Sequence, residues 1–391
     1  MSCGYISSND ERLYVAPELT YGQVAAVTSQ NRFPAVKLTA SQKLVRPKRK
    51  DKTGTRTFPG SPAGLRTTTT FDVTTYMTGW TQQNAAPGYG PLFQAGLGGA
   101  PIFFGGGTAG TNSNPMTLVF ASPHGLGPGQ AVTCGGELRF ATAIVDPLTV
   151  ALNAPFAALP AAGAAIGATV TYGPATDLGS VSIYDYWDPA DAVQRILSGA
   201  AVNKIDIKVN GDYNEFEFSG VACDLIDSTS FQANQGGLTS FPAEPALQEF
   251  DYSIIPGHLG QAWLDNTPDR FYTLTAGEVT LENNIDTRHE EFGSDEPRCL
   301  SAGPRTVTVN FELFELDNAA TQGLYQAARQ YSPIAIMLQL GQQAGQLFGV
   351  CMNSVVPVVP EFDDTETRLQ WKFTGSQAQG VGNDEIYVAF G

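Results

Sequence analysis

Charged residues and histidines are scarce in this chain of 391 residues. Asp, Glu, Lys and Arg together make up 15% of the sequence, and three residues are histidine. Soluble proteins average about 25% charged residues, so the chain lacks the Glu/Lys/Leu periodicity of long helices, and an all-helical fold is excluded. Glycine and proline are abundant, with 42 and 25 residues, which indicates many turns. Hydrophobic residues, at 42%, are enough for packed cores.

Cysteine pairs are also missing. The five cysteines are widely spaced and form no CxxC motif. This spacing argues against a disulfide framework or a zinc site and favours reduced, mostly buried thiols in a cytoplasmic compartment. The N-terminus has no basic stretch and no apolar core, so no signal peptide is expected. Residues 149–176 carry no charge but contain three prolines, so no transmembrane helix and no membrane association are expected.

The net charge and the motifs argue against several functions. A formal net charge of −16 repels phosphate backbones, so sequence-specific DNA binding over the whole surface is not expected. Gly105-Gly-Gly107-Thr-Ala-Gly110 fits GxGxxG, but a loop and a strand follow where a nucleotide site needs a helix. The acidic run 361–366 lacks the glycine and the spacing of a calcium loop, and it predicts a solvated hairpin turn.

Side chains that could carry catalysis are few. His124 and His258 lie in turn sequences and His289 lies in an acidic loop, so none is expected to be a general base. Carboxylates that meet only in the fold could form a glycosidase pair, an alternative that the sequence leaves open. The four tryptophans could stack sugars, but Trp371 occupies an inward position of an alternating strand, and the core is expected for it. No enzyme activity, cofactor or metal is therefore expected.

Two sequence patterns occur twice, in the same order. Gly64-Leu-Arg-Thr-Thr-Thr-Thr-Phe71-Asp-Val73 is matched by Gly303-Pro-Arg-Thr-Val-Thr-Val-Asn-Phe311-Glu-Leu313. Phe216-Glu-Phe-Ser-Gly220 is matched by Trp371-Lys-Phe-Thr-Gly375. Alternating apolar and polar residues are typical of a half-buried strand. The ordered pair of matches predicts a duplicated domain of mainly β structure.

Further elements follow from the same patterns. Strands are predicted over residues 36–45, 181–186, 203–209, 277–281, 334–338 and 348–359. Helices are predicted over 318–329, with Asp317 or Asn318 as N-cap, and over 190–198, after Asp188-Pro189. Five short strands are predicted in a nearly uncharged insertion, over 116–121, 130–133, 137–145, 148–152 and 164–172.

These elements predict four parts of the chain. Residues 1–105 and 177–230 form a discontinuous first domain, interrupted by a small inserted β-domain over 106–176. Residues 231–269, rich in Gly-Gly and Pro steps, form a linker. Residues 270–391 form the second domain.

A long loop follows the first strand of each domain, and the two loops have opposite charge. The first carries Lys43, Arg46, Lys48, Arg49, Lys50, Lys52 and Arg56 against Asp51 alone. The second carries Glu282, Asp286, Glu290, Glu291, Asp295 and Glu296 against two arginines. Long loops without a core of their own are usually functional or disordered. Opposite charge on equivalent loops favours alternating contacts between subunits.

Three segments carry a resemblance to a known family. They are Arg49-Lys-Asp-Lys-Thr-Gly-Thr-Arg-Thr-Phe-Pro-Gly60 with the TTTTFDVTTYMTGW run, Gly88-Tyr-Gly-Pro-Leu-Phe, and the C-terminal part from Phe292 through Trp371-Lys-Phe-Thr-Gly to Gly391. These segments resemble tail tube (major tail) proteins of tailed bacteriophages, in the version with a duplicated tube domain. The resemblance implies two tandem β-sandwich domains, each with a short flanking helix, and a small inserted β-domain in the first.

The resemblance also implies a structural function in the virion. Trimeric, pseudo-hexameric rings would stack into the hollow tail tube that conducts DNA into the host. Partners would be the chain itself, a tape measure protein and tail-end proteins, with transient passage of double-stranded DNA and no specific binding. The protein would be assembled in the host cytoplasm and located in the virion tail. A carbohydrate- or receptor-binding β-protein of the virion tail is the alternative.

In that family the long loop reaches an adjacent ring or subunit, which assigns inter-subunit or inter-ring contacts to ten residues here. They are Lys48, Arg49, Lys50, Lys52, Arg56, Asp286, Glu290, Glu291, Asp295 and Glu296.

Overall fold

Strands dominate the fold, as predicted. The computed structural model describes residues 4–46, 50–58, 60, 66–80, 82–83, 85–247, 253–264, 269–287, 291–365 and 367–391. These residues form two α-helices, α1 (Gly90–Leu97) and α2 (Ala319–Gln330), and 25 strands. None of the helices in this part of the chain is long and apolar enough to cross a membrane.

The strands fall into three groups along the chain, which we call the first half, the insertion and the second half. The first half contains β1 (Glu11–Pro17), β2 (Arg32–Phe33), β3 (Ala35–Leu44), β4 (Thr67–Tyr76) and β5 (Ile102–Phe104) before the insertion. The insertion contains β6 (Gly107–Thr108), β7 (Thr117–Val119), β8 (Ala131–Cys134), β9 (Glu137–Asp146), β10 (Thr149–Leu152), β11 (Ala165–Ile166) and β12 (Thr169–Tyr172). The first half then resumes with β13 (Val181–Trp187), β14 (Arg195–Val209), β15 (Glu215–Ala222) and β16 (Asp224–Asp227). The second half contains β17 (Gly260–Leu264), β18 (Asp269–Arg270), β19 (Leu274–Glu282), β20 (Thr306–Phe314), β21 (Ile334–Leu340), β22 (Phe348–Val356), β23 (Glu361–Asp363), β24 (Gln370–Ala378) and β25 (Tyr387–Phe390).

One antiparallel sheet runs through both halves of the chain; we call it the continuous sheet. Its strand order is β3-β4-β15-β14-β19-β20-β24-β23. β14 of the first half and β19 of the second join it in the middle, from the pair Lys204–Glu282 to the pair Val209–Gly277. Alternate residues of these strands are buried on one face, where the core lies.

A second layer of strands covers that core in each half. In the first half the order is β2-β1-β13-β14-β16, and in the second it is β18-β17-β21-β22-β25-β12-β5. The ring of Phe93, on α1, lies 5.1 Å from that of Phe216, 5.6 Å from Phe348 and 5.6 Å from Phe390. Helix α1 therefore packs against strands of both halves.

The insertion has its own small core and is attached to the second half. Strands β7-β10-β9-β8 form one sheet, and β6 pairs with β11. Arg139 of β9 is fully buried and donates to Glu137 Oε1 (3.1 Å), Gln261 Oε1 (3.2 Å) and Gln339 Oε1 (3.2 Å). Its guanidinium also lies 4.9 Å from the ring of Trp263. Four of the five strands predicted here are present, and the fifth, 164–172, is divided into β11 and β12, which pair in different sheets.

Helix α2 begins where the sequence predicts it. The Asn318 side chain accepts a hydrogen bond from Thr321 N (2.8 Å), which caps the first turn. Leu324, Ala327 and Ala328 are buried on one face. The helix ends at Gln330, and the next residue has a left-handed backbone.

The helix predicted over residues 190–198 is wrong. This stretch forms a turn and then the start of β14, where Ile196 and Leu197 are buried between β13 and β16. The Gln194 side chain closes the turn, because its Oε1 accepts from Trp187 N (2.6 Å) and its Nε2 donates to Trp187 O (2.9 Å). Pairing with two neighbouring strands outweighs the helix-like spacing of the apolar residues.

The predicted linker, 231–269, contains a strand. β17 pairs with β21 and extends the second layer of the second half. Part of the linker packs on the first half, where the Glu244 carboxylate accepts from Arg12 (2.6 and 2.8 Å) and from the Tyr14 hydroxyl (2.9 Å).

Candidate assembly surfaces

The face of the continuous sheet that points away from the core is polar; we call it the polar face. It is formed by the residues that alternate with the buried ones. Nine of them are carboxylates: Asp72, Asp206, Glu215, Glu217, Glu278, Glu282, Glu312, Glu361 and Asp363. Five are lysines: Lys37, Lys43, Lys204, Lys208 and Lys372. The polar face is therefore acidic, and threonine and serine fill much of the remainder.

Three of the five lysines are neutralised by carboxylates on the same face. Lys204 lies 2.6 Å from Asp206, Lys372 lies 2.7 Å from Asp363, and Lys208 pairs with Glu217. The hydrogen bond to Asp363 is the largest influence that raises the pKa of Lys372, and the same contact lowers the pKa of Asp363. These pairs leave the excess negative charge on the remaining carboxylates.

The continuous sheet ends in two open edges. Among the described residues, β3 pairs only with β4 at one end, and β23 pairs only with β24 at the other. Val36 is 46% exposed on β3, and Phe362 is 57% exposed on β23. An open edge presents unpaired N–H and C=O groups that can pair with a further strand.

The two loops differ in their surroundings. The acidic loop, 283–305, joins β19 to β20 and lies against the first half. Thr67 N donates to Asp295 O (2.9 Å), Arg66 Nη2 donates to Glu291 O (3.3 Å), and Cys223 Sγ donates to Pro297 O (3.3 Å). The basic loop, 45–66, joins β3 to β4, and its residues 50–58 are all exposed.

The structure places seven of the ten residues assigned to subunit contacts. Lys50, Lys52 and Arg56 are exposed in the basic loop. In the acidic loop, Asp286 forms two backbone hydrogen bonds with Ser301 (2.8 and 3.1 Å). Glu291, Asp295 and Glu296 lie in the part that contacts the first half. Lys48, Arg49 and Glu290 are outside the described residues.

Burial of the acidic loop changes the protonation of one of its carboxyl groups. The pKa of Glu296 is raised to about 7, mainly by burial and in smaller part by the nearby charges of Asp224 and Asp295. The Glu296 Oε2 lies 3.9 Å from the Cys223 sulfur, whose thiol pKa is itself raised by burial. Loop contacts of this kind were not visible in the sequence, which showed only the charge of the loop.

The described part of the chain offers no cluster of metal-binding side chains, and its histidines and tryptophans have structural surroundings. No group of three or more His, Cys, Asp or Glu side chains there could hold a metal ion. His124 accepts a hydrogen bond from Leu126 N (2.9 Å) within a turn, and His258 is exposed in another. Trp371 is 4% exposed, as expected for the core. Trp80 and Trp263 are also buried, so these three rings cannot stack on a sugar.

Comparison with known proteins agrees with a structural role. No curated protein matches the chain. The family described as phage tail tube protein matches residues 8–390, nearly the whole chain. The fold that accompanies this match is mainly β, with an acidic polar face and two open sheet edges. The chain therefore belongs to the phage tail tube protein family and is a structural component of a bacteriophage virion tail.

Proposed function

We propose that three copies of this chain close into a pseudo-hexameric ring, and that such rings stack into the hollow tube that conducts double-stranded DNA into the host. In this proposal each copy supplies two tube domains, 1–105 with 177–230 and 270–391, joined by 231–269. The inserted domain, 106–176, lies outside the tube. The observation that carries the proposal is the continuous sheet, which already joins two such domains edge to edge and remains open at both ends.

The pairing of the strands supports the equivalence of the two halves. β3-β4-β15-β14 in the first half corresponds to β19-β20-β24-β23 in the second. The pairing of β3 with β4 has an irregularity between Ala35 and Lys37, and that of β19 with β20 has one between Leu274 and Ala276. Aligning these two irregularities aligns the strand residues of the second half with those of the first. We call this residue-by-residue alignment the matched register.

The matched register agrees with the second sequence repeat, but it shifts the alignment of the first repeat by two residues. Phe218 corresponds to Phe373, as the second repeat suggests, since both lie at the same point of their strand pairs. Phe71, which the first repeat aligns with Phe311, corresponds instead to Val309. The difference is two residues, which keeps the same face buried.

The matched register also defines the junction between copies. Glu361 of β23 takes the position of Asp206 of β14. Ser41 of β3 takes the position of Thr280 of β19. Within the chain, the Thr280 hydroxyl donates to Asp206 Oδ1 (2.6 Å) across the β14–β19 junction. When β3 of a second copy pairs with β23, Ser41 lies opposite Glu361 and repeats this hydrogen bond.

The polar face then forms the wall of the channel. The apolar face is already buried between the two layers of each half, so closing the ring turns the polar face inward. Its carboxylates outnumber its lysines by nine to five. Like charge keeps the DNA from adhering to the wall, so passage needs no specific binding. Tape measure and tail-end proteins would contact the tube at its inside and its ends during assembly in the host cytoplasm.

Electron microscopy of the purified protein, concentrated at low salt, tests this proposal. We expect rings or tubes whose end views show three-fold symmetry with six similar lobes. Substituting Glu278 and Glu312 with Lys should leave the tubes intact and make them retain added DNA fragments. A chain that stays monomeric at high concentration, or rings without three-fold symmetry, would contradict the trimer. DNA retention by the unsubstituted tubes would contradict the repulsive channel.

A further inference from the structure

The two equivalent loops stand in unequal surroundings within one chain. The acidic loop packs on the first half, so that Pro297 is buried and Glu296 is half-buried. The basic loop has an equivalent position but is exposed over residues 50–58, including Phe58 at 67%. Along the continuous sheet the first half comes before the second, so the acidic loop of the second half lies against the domain before it. The basic loop belongs to the first half, and the domain before the first half would be the second half of another copy.

The surface that the acidic loop covers is well defined. It consists of Thr67, at the start of β4, Cys223, between β15 and β16, and Asp224, the first residue of β16. Thr67 N and Cys223 Sγ both donate to backbone carbonyls of the loop, at 2.9 and 3.3 Å. The docked segment is therefore held mainly by hydrogen bonds to its backbone carbonyls. A loop with different side chains can bind in the same way.

A cavity of about 400 Å³ lies at the equivalent surface of the second half, and Ala175, Thr176 and Leu178, which precede β13, form part of its wall. In the matched register, Arg305 takes the position of Thr67, and Gln379 takes that of Cys223. Glu385 takes the position of Asp224 when the pairing of β25 with β22 is matched to that of β16 with β14. All three line the cavity, together with Ala302, Gly380 and Asn383. The cavity thus lies where the first half carries the acidic loop.

A buried donor in this cavity has no partner. Arg305 donates through Nη1 to Glu385 (2.6 Å), but its Nε is buried and makes no hydrogen bond within the described residues. A buried N–H group without an acceptor is unfavourable, because it has lost its hydrogen bond to water. A carbonyl of an incoming chain segment would supply the acceptor, as the acidic loop supplies carbonyls to the first half.

We propose that this cavity receives the basic loop of the neighbouring copy within the same ring. Counted back from Thr67 and Arg305, which share one position in the matched register, Phe58 takes the position of Glu296. The proposal rests on the ring described above. It adds a second contact between neighbouring copies, beside the pairing of β3 with β23. It places the basic loop sideways, in the plane of the ring, rather than against the next ring.

The charges around the two partners agree with this placement. The described part of the basic loop carries Lys50, Lys52 and Arg56. The second half presents Glu361 on the adjacent open edge, whereas Glu385 and Asp363 are already paired with Arg305 and Lys372. Attraction of opposite charges favours this arrangement over contact of two basic loops.

A pair of engineered cysteines tests the contact. Within the chain, Glu296 and Cys223 are in contact across the docked acidic loop, at 3.9 Å. Their counterparts across the junction are Phe58 and Gln379. We expect the double variant Phe58→Cys with Gln379→Cys, assembled and then treated with copper phenanthroline as oxidant, to give covalent dimers and trimers on a non-reducing gel. The single variants are the matched controls and should stay monomeric.

The outcomes separate this contact from the ring itself. A ladder that ends at the trimer supports docking within the ring. A ladder that continues beyond the trimer would show that the loop joins rings and would overturn the proposal. Tubes that assemble normally but give no cross-link would overturn the docking and leave the tube standing. Absence of rings from the unsubstituted chain would overturn both.

A second measurement needs no substitution. Amide hydrogen exchange of residues 50–58 should be fast in the monomer and slowed at least tenfold in assembled rings. Residues 291–297, already docked in the monomer, should change much less. Equal exchange of residues 50–58 before and after assembly would overturn the proposal even if the cysteine variants fail to fold.

Discussion

Phe362 tests the strand junction between copies most directly. It lies on β23 and takes the position of Ile207, which is 2% exposed because β19 covers it. Phe362 itself is 57% exposed in the single chain. Pairing with β3 of a second copy would set it opposite Ala40 and bury it to the level of Ile207.

The effect of truncating this side chain follows from the area it would bury. Full burial of a large apolar side chain contributes about 1.5–3 kcal/mol. Slightly more than half of the Phe362 side chain is still exposed, so each junction gains about 1–1.5 kcal/mol from it. A difference of about 1.4 kcal/mol changes an equilibrium constant tenfold. Phe362→Ala should therefore raise the critical concentration for assembly by about tenfold.

The assay is sedimentation of tubes over a concentration series, with urea unfolding of the monomer as the second readout. Unfolding is needed because the Phe362 ring also stacks on Trp371, at 5.3 Å and 7°. The matched control is Phe103→Ala, a phenylalanine of similar exposure (45%) on β5, outside the continuous sheet. An unchanged critical concentration for Phe362→Ala, or an equal rise for Phe103→Ala, would refute the junction.

Three further predictions concern the loops and the insertion. Changing Lys48, Arg49 and Lys50 together to Glu should weaken assembly and leave the chain folded, with an effect that fades in high salt; tubes of normal length at low salt would contradict this. Because the folded chain raises the Glu296 pKa from 4.5 to about 7, the stabilisation from its protonated form is complete below about pH 4.5 and is lost as the pH rises through 7. The midpoint urea concentration of unfolding should fall over that pH interval and should fall less in Glu296→Gln. An equal fall in both proteins would contradict the assignment of this pH dependence to Glu296. Arg139→Ala should destabilise the chain by about 3–5 kcal/mol in urea, because it leaves a buried carboxylate unpaired; a loss below about 1 kcal/mol would show that the insertion does not depend on this contact.

Local patterns predicted most of the strands correctly. The alternation in Thr67–Tyr76 and Thr306–Phe314 gives each of these strands one buried and one polar face. The cap at Asn318 also follows from the residue type alone. Residues 190–198 misled the prediction because the same apolar spacing fits a helix and a strand, and only the neighbouring strands decide between them.

The assembly surfaces could not be predicted in the same way. The polar face exists because eight strands place their alternating residues in one register, and β14 and β19 meet although the linker separates them in sequence. The two open edges are a property of the whole sheet. The sequence showed the opposite charge of the two loops, but not that one is docked and the other exposed.

The two ends of the continuous sheet differ in a way that bears on how copies recognise each other. β14 contains no proline and is covered by β19 of the same chain. The equivalent stretch of the second half, 356–363, contains Pro357 and Pro360. Proline has no N–H, so this edge offers fewer donors to an approaching strand and is a poor template for indiscriminate pairing. In the proposed ring, side chains such as Phe362 and the docked basic loop would then supply much of the free energy of the junction. This division would disfavour pairing with unrelated strands and would make the correct neighbour the one that satisfies both contacts.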